Sequence, residues 1–230
     1  MVKIYIRTQR YDEKEGKLII ENIENKEIED KMNEYIIELD EFFGFKLKET
    51  PTVNIVPDRK TINYIRKAET RSHTIGWISG YNVFMLDLDK FDTESAHKRY
   101  SLKEYFATIK HELVHVYFYQ LIKNPYPTWL WEGTSVALSG QYKPKPEKLS
   151  GFLESHFGHN YGPEYMIAPF FVKVLINKYG RDKFILLLNE LSKIKQDKTE
   201  ESKKVFYDLF QRVYEFELNY ENANKLFLEK

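Results

Sequence analysis

SLKEYFATIKHELVHVYFYQLIKNPYPTWLWEGTSVALSG, residues 101–140, is where the chain changes character. Ser101 with Glu104 three residues later forms a capping box, which opens a helix at that point. Apolar residues follow at Phe106, Ile109, Leu113, Val116 and Phe118, until Pro125 and Pro127 stop the helix. A second helix starts beyond them, with Thr128 as its expected N-cap. His111 and His115 lie four residues apart, slightly more than one turn, so both imidazoles project from one face of the first helix. Glu112 sits behind the first of them.

Upstream the texture is mixed. Residues 1–8 alternate apolar and polar side chains like a strand. NKEIEDKMNEYIIELDEFFGF places Ile28, Met32, Tyr35, Ile36, Leu39 and Phe43 at helical spacing, with Asn25 as N-cap and Gly44 as stop. TVNIVPD is a short buried strand closed by Pro57, and a helix is expected across Arg59–Lys67. HTIGWISGYNVFMLDLD reads as two strands, His73–Ser79 and Tyr81–Asp87, joined at Gly80.

Downstream everything reads as helix: GPEYMIAPFFVKVLINKYG with a bend at Pro169, then RDKFILLLNELSKI, EESKKVFYDLFQRVY and NYENANKLFLEK. The expectation is one α+β domain over residues 1–230. Residues 1–100 form its mixed α/β lobe and residues 101–230 its helical lobe, with the histidine pair where they meet.

Composition narrows the function. Among 230 residues, 35 basic side chains balance 35 acidic ones, so no basic footprint for nucleic acid or an anionic membrane is present. The absence of cysteine excludes disulfides, thiolate metal sites and a cysteine nucleophile. No apolar run approaches the roughly 20 residues needed to span a bilayer, and the N-terminus lacks the apolar core of a signal peptide. A cytoplasmic protein is the expectation, with a processed secreted form left open.

HExxH divides a hydrolytic task among its parts. Two neutral imidazoles at this spacing can both reach one Zn²⁺ at about 2.0–2.1 Å. The glutamate on the flank of the same helix can take a proton from a metal-activated water and pass it to a leaving amine. The plain alternative is a core helix whose histidines are satisfied by hydrogen bonds, which does not call for the carboxylate beside them. A catalytic zinc needs a third protein ligand and an open fourth position. Glu132 follows across the proline break, in WLWEGTSVALSG. Taken alone, a glutamate in the first turn of a helix is an ordinary surface residue favoured by the dipole.

HELVH followed by WLWEG resembles the gluzincin metallopeptidases, in particular the small relatives of the aminopeptidase-N and leukotriene-hydrolase catalytic domain. The resemblance spans residues 50–190 and is densest over 105–140. It implies a zincin-like fold with a cleft between the two lobes, and one zinc per chain held by His111, His115 and Glu132. Glu112 is then the general base and acid. It further implies that Tyr165 donates a hydrogen bond to the oxyanion, with Tyr161 in reserve, and that the last strand before the active-site helix, Tyr81–Asp87, is the edge on which an extended peptide pairs.

The spacer before Glu132 is slightly shorter than in larger members, and Ser135 stands where that segment usually has alanine. Gly76 to Phe84 lacks the acidic residue with which the aminopeptidase branch holds a free amine, which points to endopeptidase action. His156 and His159, in SHFGH, could line the same cleft, but a surface loop is the expected reading. The competing reading is a zinc-binding regulatory or partner-docking module that does not turn over.

Overall fold

The computed structural model describes residues 3–159, 162–194 and 197–229. It is an α+β protein with a five-stranded sheet. The chain divides into two compact units, Met1–Val116 and Tyr117–Lys230.

The first unit is built on strands β1 (Tyr5–Asp12), β2 (Lys17–Ile23), β3 (Thr52–Val56), β4 (Gly76–Ser79) and β5 (Asn82–Leu86), in spatial order β2-β1-β3-β5-β4. β1 and β2 form an antiparallel hairpin, whereas β1 pairs parallel with β3 and β3 parallel with β5. The hairpin turn contains Gly16 at φ +63°, a left-handed conformation that glycine adopts without steric cost. Between hairpin and β3 runs α1 (Lys26–Phe43). Asn25 caps it by accepting from the Ile28 amide, and Gly44 ends it at φ 75°. Met32, Leu39 and Phe43 bury one face of α1, and Val53, Val56, Val83, Met85 and Leu86 are fully buried in the central strands.

After β3 comes α2 (Arg59–Arg66), capped by the Asp58 side chain accepting from the Thr61 amide. Beyond β5 lie a 3₁₀ turn at Leu88–Lys90 and the short α3 (Phe91–Glu94).

The expected edge strand is corrected by this order. Tyr81–Asp87 is not at an edge: β5 lies between β3 and β4, and β4 occupies the outer position. β4 and β5 form an antiparallel hairpin over Gly80, which has φ +58°. Once β5 pairs in parallel with β3, its hairpin partner is necessarily the strand left outside.

α4 (Leu102–Ile122) follows as one continuous helix. The second unit then contains α5 (Thr128–Ser139), α6 (Pro163–Met166), α7 (Ala168–Tyr179), α8 (Arg181–Leu191), α9 (Glu200–Tyr214) and α10 (Tyr220–Leu228). Its core is aromatic. Trp129 lies 5.3 Å from Phe152, 6.0 Å from Phe171 and 6.0 Å from Phe206, ring centroid to centroid, and all four are fully buried. The single bent helix expected around Pro169 is two helices separated at Ile167, because a proline near the start of α7 cannot donate the amide hydrogen bond that would join them. Among the described residues no helix is long and apolar enough to cross a membrane.

Candidate metal centre

The capping box that opens α4 is formed: the Ser101 amide donates to Glu104 Oε2 at 2.8 Å, and the Glu104 amide to Ser101 Oγ at 3.2 Å. Further along, Ile109, Leu113, Val114, Val116 and Tyr117 are fully buried, so the helix is core on nearly all sides. Lys110 leaves that core to pair with Glu38 of α1, its ammonium 5.0 Å above the Tyr35 ring. His111, Glu112 and His115 are buried, and the two imidazole rings meet edge to face with centroids 4.6 Å apart.

Glu132 arrives one turn into α5. The start of that helix is held without the expected Thr128 cap. The Thr128 amide donates to the carbonyl of His156 and the Trp129 amide to that of Ser155, both at 2.9 Å, so a loop backbone does what a capping side chain would have done. The loop is itself tied to α10. Asn224 accepts from the Leu149 amide and donates to its carbonyl, and the Tyr220 hydroxyl accepts from the Leu153 amide. Phe118 of α4 packs edge-on against Trp131, with centroids 5.4 Å apart. Glu132, the next residue, is buried.

One ligand atom from each of His111, His115 and Glu132 lies within 4.8 Å of the others. Donors on a tetrahedral zinc sit about 3.4 Å apart at ordinary bond lengths, within the 4.8 Å that bounds these atoms. Two imidazoles and a carboxylate, all buried, are also the donor chemistry of a borderline divalent cation. The residues are close enough to bind a metal ion.

Beside Glu132 is a cluster whose partners the sequence did not reveal. His159 Nδ1 lies 3.9 Å from Glu132 Oε1, 3.7 Å from Glu164 Oε1 and 3.1 Å from the Tyr165 hydroxyl. Glu164 is fully buried, accepting from Ser155 Oγ at 3.0 Å and from the Gly162 amide at 3.4 Å. The Tyr165 ring also stacks with that of His159. Tyr161 lies outside the described residues. A histidine close to two carboxylates gave no signal in sequence, because Glu132 and Glu164 are brought to it only by the fold.

His156 corrects its surface-loop assignment. Its side chain is buried against Phe157 and Phe206, and neither ring nitrogen has a hydrogen-bond partner among the described residues. Burial, with the Lys203 charge adding to it, pushes the imidazole down to about 4 from its ordinary 6.5. As pH falls from 6.5 toward 4, the unfolded chain takes up a proton that the folded protein refuses, so stability is lost across that window and levels off below it. Between pH 7 and pH 5 the loss from this group is about 2 kcal/mol. Urea unfolding at both pH values, with chelator present so that metal release does not contribute, reads it directly. His156→Leu is expected to remove most of the difference.

Gly133 follows Glu132 and brings α7 against α5. A Cβ there would stand 3.0 Å from Ala168 Cβ, 3.2 Å from the Ala168 carbonyl carbon and 3.2 Å from Val172 Cγ2. Backbone cannot yield as a side-chain tip can, so Gly133→Ala is expected to cost about 1–3 kcal/mol in chemical denaturation.

No protein-family model matches the chain, and no curated protein matches it.

Proposed function

We propose that the chain is a zinc-dependent metallopeptidase of the gluzincin type, on a zincin-like arrangement of sheet and helices. The observation that carries this reading is the buried set of His111, His115 and Glu132 with Glu112 on the same helix. A catalytic zinc site of this class takes three protein donors and leaves one position open, which is what this set offers. When bound, zinc lowers the pKa of a water toward about 7 and polarises the carbonyl under attack.

The chain's own residues supply the rest. Glu112 accepts a proton from the attacking water and delivers it to the leaving amine, so that the carboxylate is regenerated when the peptide bond has broken. Glu132 neutralises part of the metal charge, and His159, close to both Glu132 and the buried Glu164, steadies its carboxylate. Tyr165 is the proposed donor to the developing oxyanion. β4, the outer strand, replaces β5 as the edge that an extended peptide would pair with. No acidic side chain lies between Gly76 and Phe84 to hold a free amine, which favours internal cleavage of a peptide or protein substrate.

The test is a digest of a denatured-proteome peptide library with zinc-loaded protein, read by mass spectrometry for new termini. Internal cleavages that a chelator stops and added zinc restores are expected. Peptides retained intact would instead make the protein a zinc-binding docking module.

A further inference from the structure

Gly76 opens β4 opposite Met85 of β5. Its backbone does not ask for glycine, since it is not among the glycines with positive φ. Gly16, Gly80 and Gly140 differ on both counts, having left-handed backbones and open space where a Cβ would be. At Gly76 the space is what matters. A Cβ there would stand 2.9 Å from Glu112 Oε1, 3.1 Å from Glu112 Cγ and 2.9 Å from Met85 Sδ. Glycine inside a strand weakens it, and such a residue often marks a place where another group must come close.

We propose that Gly76 is a positioning residue for the general base: the bare Cα at the start of the outer strand is the seat on which the Glu112 carboxylate rests. The inference rests on the peptidase reading for its catalytic meaning and on the packing alone for the contact. Glutamate has three rotatable side-chain bonds, and a buried carboxylate used for proton transfer has to be held to within about 0.5 Å of its working place. A strand backbone approached directly is a stiffer support than another mobile side chain. It also ties the base to the strand proposed to bind the peptide. Any β-carbon at residue 76 drives the carboxylate away by at least about 0.5 Å before ordinary contact is restored.

Gly76→Ala in the full chain is the test. Both atoms it crowds most belong to flexible side chains, so the variant is expected to fold. It should hold the same zinc per chain and keep KM within about twofold, while kcat falls by about 10- to 100-fold, as a small misplacement of a reacting group predicts. A thermal cycle of native protein, Gly76→Ala, Glu112→Ala and the double variant supplies a readout independent of turnover. The Tm drop caused by Gly76→Ala should be clearly smaller once Glu112 is alanine, the crowding of Met85 Sδ remaining in both backgrounds. An unchanged kcat, or the same Tm drop in both backgrounds, overturns the proposal. A native chain that cleaves no peptide defeats the peptidase reading instead, and the thermal cycle then still decides whether Gly76 seats Glu112.

Discussion

On the proposed peptidase reading, Glu112→Gln is expected to leave zinc on the protein and to lower peptide turnover by about 10²- to 10⁴-fold, the range that removal of a positioned general base produces. The amide nearly matches the carboxylate in shape, so the seat at Gly76 and the packing of α4 are kept. What changes is that the amide cannot accept the proton of the attacking water. The loss should fall on kcat and on kcat/KM together, because the interaction is made in the transition state and not in substrate binding. Single-turnover cleavage of one peptide taken from the library digest, with zinc measured on the same samples, checks both halves. A variant that kept full activity would remove Glu112 from the mechanism.

Glu132→Ala is expected to act on the proposed metal site and not on the proton transfer. Outer-sphere partners of a metal site are worth about 10- to 100-fold in affinity, and a direct ligand exceeds them, so zinc should bind more than about 100-fold more weakly. At free zinc about 1,000 times the native Kd, binding stabilises the native protein by about 4 kcal/mol, and the variant forfeits most of that. Competition against a chromophoric chelator measures the affinity, and unfolding with and without zinc measures the linked stability. The apo forms of native and variant should unfold at similar denaturant concentrations, because the start of α5 is anchored by the Ser155 and His156 carbonyls and not by Glu132.

Most local signals in the sequence translated faithfully, the Thr128 cap being the exception. Asn25 and Gly44 bound α1, and the Ser101–Glu104 box opens α4, because caps are made by residues within a turn of each other. His111, Glu112 and His115 of the candidate centre were legible for the same reason, whereas Glu132 was joined to them only by the resemblance to gluzincins. HExxH is a one-helix motif, and Glu132 sits in the first turns of the next helix.

What depended on distant partners was not legible. β2 was missed because its burial is set by pairing with β1, and at the rim of the sheet its residues are mostly half-buried or exposed. The order of β4 and β5 was misread because the choice of neighbour for β3 is a long-range one. His156 and His159 lie in a loop with no periodicity. One is buried by Phe206 from α9, and the other is brought close to carboxylates on α5 and α6. Gly76 and Gly133 matter only for what approaches them, which a sequence does not state.

The most direct test of the metal centre is zinc per chain by elemental analysis, on tag-free native protein purified without chelator and dialysed against buffered zinc. One zinc per chain is predicted, at His111, His115 and Glu132. Protein that remains folded and holds no zinc after that dialysis would contradict the account, and would leave α4 as a core helix that happens to carry two histidines.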